Sequence, residues 1–344
     1  MTIYRVIDAN INRAREGIRV IEDELRFIFE KKELSERLRS LRHEISRIPS
    51  LLNISSIKLL VSRQSQKDVG KKRIESKRKN LQEIIASNFS RVEESIRVLE
   101  EYSKLINSKV TDKIKKIRFD LYVLQKEIQL SIYRKELTSK LGLYIITDEK
   151  IAGKSNAKIV VEAVKGGADT IQLRDKTCSD KKLCTEAKKI RTLIPQRILF
   201  IVNDRVDIAL AVEADGVHLG KDDLSITEAR EIIGEDKIIG ISCDSVKEAI
   251  KAEKDGADYV ALGPIFPTTT KKDVPYPLGI KVIKEAKKKI SIPIVAIGGI
   301  NEKNIGEALK SGADSVAVIS AVLKNSNISA SVTCLKKYFS KPKV

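Results

Sequence analysis

The sequence has 344 residues, 42% hydrophobic and 33% charged, and its 65 Lys and Arg against 47 Asp and Glu give a net charge of +18. This length exceeds one small core and accommodates a barrel of roughly 200 to 250 residues plus a second domain. No apolar run approaches the ~18 residues of a membrane span, and charged residues interrupt the N-terminus. We therefore expect a cytoplasmic protein that does not bind a membrane.

The positive charge is concentrated in the first part of the chain. Residues 1–140 contain 32 Lys and Arg against 20 Asp and Glu, and residues 141–344 contain 33 against 27. Glu residues are mixed with the basic residues and no aromatic RNA-binding motif accompanies them, so we expect phosphorylated small molecules rather than nucleic acid as partners. The cysteines lack metal or redox spacing and are interpreted as packing residues. They are Cys178, Cys184, Cys243 and Cys334.

The first predicted element is an amphipathic helix with apolar residues spaced by four and three. These residues are Ile7, Ile11, Ala14, Ile18, Ile21 and Leu25. A second copy follows, with apolar residues at Ile85, Phe89, Val92, Ile96 and Leu99. The repeat includes polar positions: Asn10, Arg13, Glu16, Arg19 and Glu22 recur as Asn88, Arg91, Glu94, Arg97 and Glu100. The pattern predicts a helical domain of two similar halves.

Further helices are predicted near 33–47, 71–87 and 110–137. The segment from Ser62 to Lys79 is the least apolar of this domain and includes Asp68-Val69-Gly70. We interpret it as a mobile basic loop that leads into a helix.

From Leu141 onward, short β-branched runs alternate with helical stretches, which is typical of buried parallel strands in βαβ units. The runs cover 141–148, 170–175, 199–204, 216–220, 238–243, 259–265, 292–300 and 315–320. Eight such units favour a closed (β/α)8 barrel over an open doubly wound sheet, and no G-x-G-x-x-G follows the first strand. We predict an all-α domain at 1–138 followed by an α/β TIM barrel at 139–344.

Polar residues and glycines collect at the carboxyl ends of the predicted strands, where such barrels have their active sites. In strand order they are Gln172, Arg174, Lys176, Asn203, Asp204, Asp222, Asp223, Ser242, Thr268, Thr269, Thr270, Lys271, Gly298, Gly299 and Ser320. Each one alone fits a loop residue, a cap or an ion-pair partner. Their joint placement predicts a site.

Of the three carboxylates among these residues, two from neighbouring strand ends form a candidate metal pair. Asp204 and Asp223 suit Mg2+, which is commonly held by one or two carboxylates and phosphate oxygens. The alternative for Asp223 is a cap for the next helix, where Ser225 and Glu228 compete as start signals. Cations on the same rim offset the charge of a diphosphate. They are Arg174, Lys176 and Lys271.

A second phosphate site is predicted after the seventh and eighth strands. Gly298 and Gly299 precede a helix expected to begin near Asn301, and Ile319-Ser320 forms the next turn. Bare backbone N–H groups at such a position commonly bind phosphate.

At this point the motifs resemble those of thiamine phosphate synthase, over residues 141 to about 325. They are Gln172 to Lys176, Val202 to Arg205, Gly216 to Gly220, Ala261 to Lys271 and Ala296 to Ile300. The resemblance implies that a carbocation-like pyrimidine forms as diphosphate leaves and is captured by the thiazole nitrogen. No side-chain nucleophile is needed for this reaction.

The resemblance also implies roles for individual residues. The pyrimidine diphosphate is expected to contact Gln172, Arg174, Lys176, Asn203, Ser242 and Lys271, of which Arg174, Lys176, Ser242 and Lys271 are the catalytic candidates. The thiazole phosphate is expected to contact Thr268, Thr270, Gly299, Ile319 and Ser320. Asp204 and Asp223 would bind Mg2+, although Lys221-Asp222 departs from the family pattern and leaves Asp222 as a rival ligand. His218 is interpreted as structural.

Residues 1–138 resemble the N-terminal extension of a two-domain bacterial form of this enzyme, which is associated with phosphorylation of hydroxymethylpyrimidine phosphate. ATP would then be a partner. Its candidate residues are Asn10, Arg13, Glu16, Arg19, Glu22, Arg91 and Arg97. The alternative is a structural or dimerisation module of a homo-oligomer, in which Arg13 with Glu16 and Arg91 with Glu94 form weak i,i+3 ion pairs along their own helices.

Two alternatives remain for the barrel. A sensor that binds a thiazole phosphate without catalysis would be expected to lack the carboxylates or the cations, and both are present. A sugar-phosphate isomerase or lyase would need a strand Lys, Glu or His in a catalytic position, which the strands do not offer.

Overall fold

The protein is described by a computed structural model that covers residues 2–64, 77–268 and 276–339. The chain divides into two compact units, Met1–Ile132 and Tyr133–Val344. Within the described ranges, none of the helices has the length and apolar character needed to cross a membrane.

The N-terminal part is helical, as predicted. Its described helices are α1 (Thr2–Phe27), α2 (Lys32–Leu51), α3 (Ser56–Ser62), α4 (Leu81–Ser103) and α5 (Ser108–Thr138). Of the segment predicted as a basic loop and helix, residues 65–76 lie outside the described residues. The predicted helix over 71–87 is wrong for residues 77–80, because α4 begins only after Asn80, whose side chain accepts a hydrogen bond from the Glu83 N–H. The short helix α3 was not predicted, and Ser55 caps it in the same way at Lys58.

The repeated apolar residues of α1 and α4 belong to the core of this unit, together with apolar residues of the other helices. All of them are buried, which confirms the spacing as the buried face of two helices. Gly17 permits close packing of α1 on α4, since a Cβ atom there would lie 2.7 Å from Val92 Cγ2.

The second unit contains a closed barrel of eight parallel strands in sequence order, which confirms the predicted fold. The strands are β1 (Leu143–Ile146), β2 (Thr170–Leu173), β3 (Leu199–Asn203), β4 (Gly216–Leu219), β5 (Ile238–Cys243), β6 (Tyr259–Leu262), β7 (Ile294–Ile297) and β8 (Ser315–Val318). All eight lie inside the runs predicted from β-branched residues.

Helices connect and follow these strands. Those described are α6 (Glu149–Ala152), α7 (Asn156–Gly166), α8 (Asp180–Leu193), α9 (Val206–Ala211), α10 (Ile226–Ile233), α11 (Val246–Lys254), α12 (Lys281–Lys287), α13 (Ile305–Lys310), α14 (Ser320–Leu323) and α15 (Ile328–Lys336), with a 3-10 turn at Lys337–Phe339. Alternate strand residues face the helices or the barrel interior, as the period of two requires. Ile145 and Ile171 join the outer core, whereas Tyr144 and Tyr259 join the inner one.

Four aspartates brace the amino end of the barrel. Each immediately precedes or begins an even-numbered strand and accepts a hydrogen bond from an N–H of the preceding odd-numbered strand. Each also forms an ion pair with a basic side chain. The four are Asp169, Asp215, Asp258 and Asp314. These contacts fix the register of neighbouring strands and so stabilise the barrel, which is the usual role of residues at this end.

Candidate active site

A cavity of about 370 Å3 opens at the carboxyl ends of the strands, on the face where the sequence predicted the site. Its volume is in the range of small-molecule sites. The predicted residues that line it are Lys176, Asp222, Asp223, Ser242, Thr268, Gly298, Gly299, Ile319 and Ser320. Residues that follow six different strands therefore meet in one space. Thr269, Thr270 and Lys271 lie outside the described residues.

Asp204 is held against two charged groups at the rim of this cavity. Its carboxyl group lies within hydrogen-bonding reach of Asp223, and Lys176 Nζ is 3.0 Å from its Oδ2. Burial, followed by the Asp223 carboxyl, raises the pKa of Asp204, while Lys176 acts in the opposite direction. The backbone of Asp204 is left-handed, with φ +61, which is uncommon outside glycine and recurs at functional sites. Two adjacent carboxylates of this kind attract a cation.

Asp223 is not the cap of the following helix. Ser225 caps α10, and it forms a capping box with Glu228. Asp223 instead accepts a 2.6 Å hydrogen bond from the Gly220 N–H, which fixes the turn after β4. Asp222 is exposed, whereas Asp223 is half-buried beside Asp204. The geometry thus favours Asp223 over Asp222 as the partner of Asp204.

The predicted cations differ in their surroundings. Lys176 lines the cavity next to Asp204. Arg174 Nη1 lies 3.2 Å from Asp148 Oδ2, so a carboxylate after β1 orients this guanidinium. Lys221 also lines the cavity, paired with Asp244 at 2.7 Å. Lys221 and Asp244 were not proposed as ligands from the sequence, although both directly follow strands, which was the signal that could have identified them.

The proposed thiazole phosphate side of the cavity requires glycine. Gly298 and Gly299 have φ values of +96 and +67, and a Cβ atom on Gly299 would lie 2.4 Å from the Pro267 carbonyl oxygen. The expectation that a helix begins near Asn301 is wrong, because α13 begins at Ile305. The Asn301 and Asn304 side chains instead donate to the Gly299 carbonyl and hold the loop in place.

The predicted pyrimidine ligands lie deeper. Gln172 is buried in the barrel interior and its Nε2 donates to the Tyr144 hydroxyl at 2.8 Å. Asn203 ends β3 and is half-buried. Ser242 lines the cavity, and its Oγ is 3.1 Å from His218 Nε2. His218 is buried, and both of its ring nitrogens have polar partners.

Cys243 follows Ser242 and points away from this chemistry. Burial raises the pKa of its thiol to about 12, so it remains protonated at neutral pH. This agrees with its interpretation as a packing residue.

The candidate residues on α1, which are spaced by three and are called a row below, change from buried to exposed and back to buried along the helix. Asn10 and Glu22 at its ends are buried, whereas Arg13, Glu16 and Arg19 between them are exposed. This follows from a spacing of three on a helix of 3.6 residues per turn. Asn10 donates to the Val6 carbonyl of its own helix, so its side chain is engaged locally.

The ends of both rows are held by arginines. Glu22 contacts Arg19 at 3.5 Å and Arg42 of α2 at 2.9 Å. In the second copy, Glu100 contacts Arg97 at 2.8 Å and Arg118 of α5 at 2.7 Å. The duplication therefore extends to a buried carboxylate that joins the two helices of each half. Arg91, like Arg13, is exposed.

Comparison with known families gives two matches along the chain. The family described as Thiamine monophosphate synthase matches residues 143–322, and the ThiD2 family matches residues 5–127. A thiamine-phosphate synthase of Synechocystis sp. is 39% identical over 330 residues, which cover 94% of this chain and 93% of that protein. A thiamine-phosphate synthase of Clostridium novyi is 50% identical over 188 residues, 54% of this chain and 92% of that protein.

Among solved structures, the thiamine phosphate pyrophosphorylase of Pyrococcus furiosus is similar, with a TM-score of 0.55 and 42% identity. The match covers 59% of this chain and 96% of that structure.

Proposed function

Because the chain belongs to the thiamine-phosphate synthase family, we propose that the cavity at the strand ends holds both substrates of this transferase together with Mg2+. The substrates are an aminopyrimidine carrying a diphosphate and a thiazole carrying a phosphate. The products are thiamine phosphate and diphosphate. The contact between Asp204 and Asp223, beside Lys176, is the observation on which the proposal rests.

The chain's own residues bind and align the substrates. Lys176 and Arg174, joined by Lys271, contact the diphosphate and stabilise the negative charge that grows on it as the C–O bond breaks. Gln172, Asn203 and Ser242 hold the pyrimidine ring. The glycine turn after β7, together with the threonines after β6 and the Ile319-Ser320 turn, holds the thiazole phosphate so that the ring nitrogen faces the pyrimidine methylene.

The donor set fits Mg2+. Asp204 and Asp223 offer two carboxylates at one point, and burial together with the Asp223 carboxyl raises the pKa of Asp204, an arrangement that a bound cation would stabilise. When bound, Mg2+ would offset charge on the leaving diphosphate.

Replacement of Asp204 by Asn tests this assignment. We expect Asp204→Asn to lower synthase turnover on the order of 10²- to 10³-fold, comparable to the loss of a key electrostatic group. Asp222→Asn, which removes the exposed neighbouring carboxylate, is the matched control and should remain close to wild type. Near-normal turnover of Asp204→Asn, or equal losses in both variants, would overturn the assignment.

For the helical unit, the proposed activity is phosphorylation of the pyrimidine monophosphate. The γ-phosphoryl group of ATP would pass to a phosphate oxygen of that substrate, releasing ADP and the diphosphate used by the barrel. The match to the ThiD2 family supports this proposal. The exposed middle of the two rows supports it as well, because Arg13 and Arg91 are cationic side chains accessible to a phosphorylated ligand.

A second candidate is a scaffold, and a specific observation favours it. Glu22 and Glu100, with Arg42 and Arg118, already satisfy one another as links between helices. In that case the rows contribute stability and no reaction.

An assay on the full-length chain distinguishes a catalytic helical unit from a scaffold. It would be incubated with ATP and hydroxymethylpyrimidine phosphate, and the diphosphate would be measured directly. A catalytic unit forms it in an ATP-dependent manner, and Arg13→Ala with Arg91→Ala abolishes this reaction while synthesis from preformed diphosphate continues. Absence of the diphosphate in the wild type identifies a scaffold.

A further inference from the structure

Five polar side chains cross the interior of the barrel as one hydrogen-bonded chain. Gln172 Nε2 is 2.8 Å from the Tyr144 hydroxyl, which is 3.0 Å from the Tyr259 hydroxyl. Tyr259 is 3.1 Å from His218 Nδ1, and His218 Nε2 is 3.1 Å from Ser242 Oγ. These five residues, called the interior chain below, come from strands β1, β2, β4, β5 and β6. Both of its ends are proposed pyrimidine ligands.

The backbone makes room for this arrangement. Gly240 on β5 lies against the Tyr259 ring, and a Cβ atom there would be 2.0 Å from Tyr259 Cζ. The His218 and Tyr259 rings stack, with centroids 5.7 Å apart and 24° between their planes. Burial raises the pKa of Tyr144 and of Tyr259 well above the ordinary value, so both hydroxyls keep their hydrogens.

The hydrogens of the interior chain can be assigned one by one. Gln172 donates through Nε2, so Tyr144 accepts there and must give its own hydrogen to Tyr259, its other partner among the described residues. A buried hydroxyl hydrogen without an acceptor would be destabilising. Tyr259 in turn donates to His218 Nδ1.

His218 is consequently a neutral imidazole with its hydrogen on Nε2. That hydrogen is donated to Ser242 Oγ, and the partner of one ring nitrogen thus fixes the tautomer at the other. The hydroxyl hydrogen of Ser242 then has no acceptor within the described part of the chain and is directed to the cavity, which Ser242 lines. At the opposite end, Gln172 keeps its amide oxygen as an acceptor.

We infer that Tyr144, Tyr259 and His218 are positioning residues that set Ser242 as a hydrogen-bond donor and Gln172 as an acceptor, and so select an aminopyrimidine over its oxo counterpart. An aminopyrimidine offers ring-nitrogen acceptors to a hydroxyl such as that of Ser242, and an amine donor to an amide oxygen such as that of Gln172. The oxo form offers an N–H donor beside a carbonyl acceptor, which reverses both. A site built on such hydrogen bonds rejects the reversed pattern because buried groups would be left unpaired. The inference rests on the proposed pyrimidine site.

The test uses the full-length chain and three variants. Tyr259→Phe removes only the central hydroxyl, which frees His218 to change tautomer and accept from Ser242. Tyr144→Phe is a second break in the interior chain should the first variant fold poorly. Tyr338→Phe is the matched control, because it removes a hydroxyl that donates to the Glu302 carbonyl at 3.0 Å outside the chain.

Steady-state kinetics would be measured with the pyrimidine diphosphate, with its 4-oxo analogue as a competitive inhibitor. We expect Tyr259→Phe to lower kcat/KM for the pyrimidine diphosphate about tenfold, the effect of one hydrogen bond, and to reduce the preference for amino over oxo by a similar factor. The KM for the thiazole phosphate should not change. Tyr338→Phe should match the wild type in all three quantities.

The inference is overturned if both Tyr→Phe variants keep the wild-type preference, or if they weaken the amino and oxo ligands equally, as a general loss of packing would. Ser242→Ala separates this failure from failure of the proposed site. If Ser242→Ala leaves kcat/KM unchanged, the pyrimidine site itself is wrongly assigned. If it impairs the reaction while the tyrosine variants do not, only the interior chain loses its role.

Discussion

At the amino end of the barrel, aspartates such as Asp215 and Asp258 each accept a strand N–H and pair with an arginine, whereas at the carboxyl end Asp204 and Asp223 lie against each other. The same side chain is fully partnered in one place and opposed by a like charge in the other. The first arrangement stabilises strand register. The second brings two like charges together, which is the arrangement that the proposed metal site requires. The immediate partners of a carboxylate, rather than its presence on a barrel, therefore distinguish structural from functional aspartates.

The repeated glutamates of the helical unit are fully partnered, like the aspartates at the amino end of the barrel. Glu22 and Glu100 are buried and each is contacted by two arginines. A repeated polar motif on a helix thus resembles the amino end of the barrel more closely than its active site.

The largest expected effect is a loss of stability when an aspartate at the amino end of the barrel is replaced. Asp215→Asn loses the charge that pairs with Arg191 at 3.2 Å and weakens the acceptor for the Phe200 N–H. We expect a loss of about 1–3 kcal/mol in the free energy of unfolding of the barrel unit, measured by urea denaturation. Turnover per folded molecule should stay near wild type. A fall in turnover with unchanged stability would reverse the roles assigned to the two ends.

A smaller effect of opposite sign, a gain in stability, is expected when Asp204 at the carboxyl end of the barrel is replaced. The pKa of Asp204 is raised by burial first and by Asp223 second, so the folded protein retains this proton to higher pH than the unfolded chain. The contribution of Asp204 to stability therefore falls as the pH rises through the ordinary Asp range into the raised one. Without Mg2+, Asp204→Asn should raise the Tm at pH 7 by roughly 2–4 °C, even though Lys176 loses a partner.

This gain in Tm should disappear in acid, where Asp204 is protonated in both states. Calorimetry at the two pH values measures it. A lower Tm for Asp204→Asn at pH 7 would mean that Asp204 is a stabilising residue like Asp215.

The smallest effect concerns the helical rows. Arg19 is exposed, and Glu22 keeps Arg42 when Arg19 is removed. Arg19→Ala should therefore change stability by less than ~1 kcal/mol, whereas Arg42→Ala leaves a buried carboxylate poorly paired and should cost more. Hydrogen exchange of α1 and α2 compares the two variants. Equal effects would contradict the assignment of Arg42 as the structural partner.

Much of the barrel and its rim could be predicted from the sequence, because β-branched runs mark strands and polar residues directly after them mark the site. The interior chain could not, since Tyr144 and Tyr259 are separated by 115 positions and meet only when the barrel closes. Neighbours such as Asp222 and Asp223 are also indistinguishable by position alone. Only the fold shows which of them faces Asp204.

The start of α13 shows a different limit. Asn301 has the features of a helix cap, yet its side chain bonds to the Gly299 carbonyl and the helix begins at Ile305. An Asn side chain can stabilise a turn as readily as it caps a helix. The glycine turn that decides which of these Asn301 does depends on contacts with the loop after β6.

The most direct test of the carboxylate pair is Mn2+ binding to the protein in the absence of substrates, read by electron paramagnetic resonance. The wild type and Asp222→Asn should bind the ion and remove the free-Mn2+ signal, while Asp223→Asn should leave the ion free. Binding by Asp223→Asn as in the wild type, or loss of binding in Asp222→Asn, would contradict the assignment of Asp204 and Asp223 as the metal ligands.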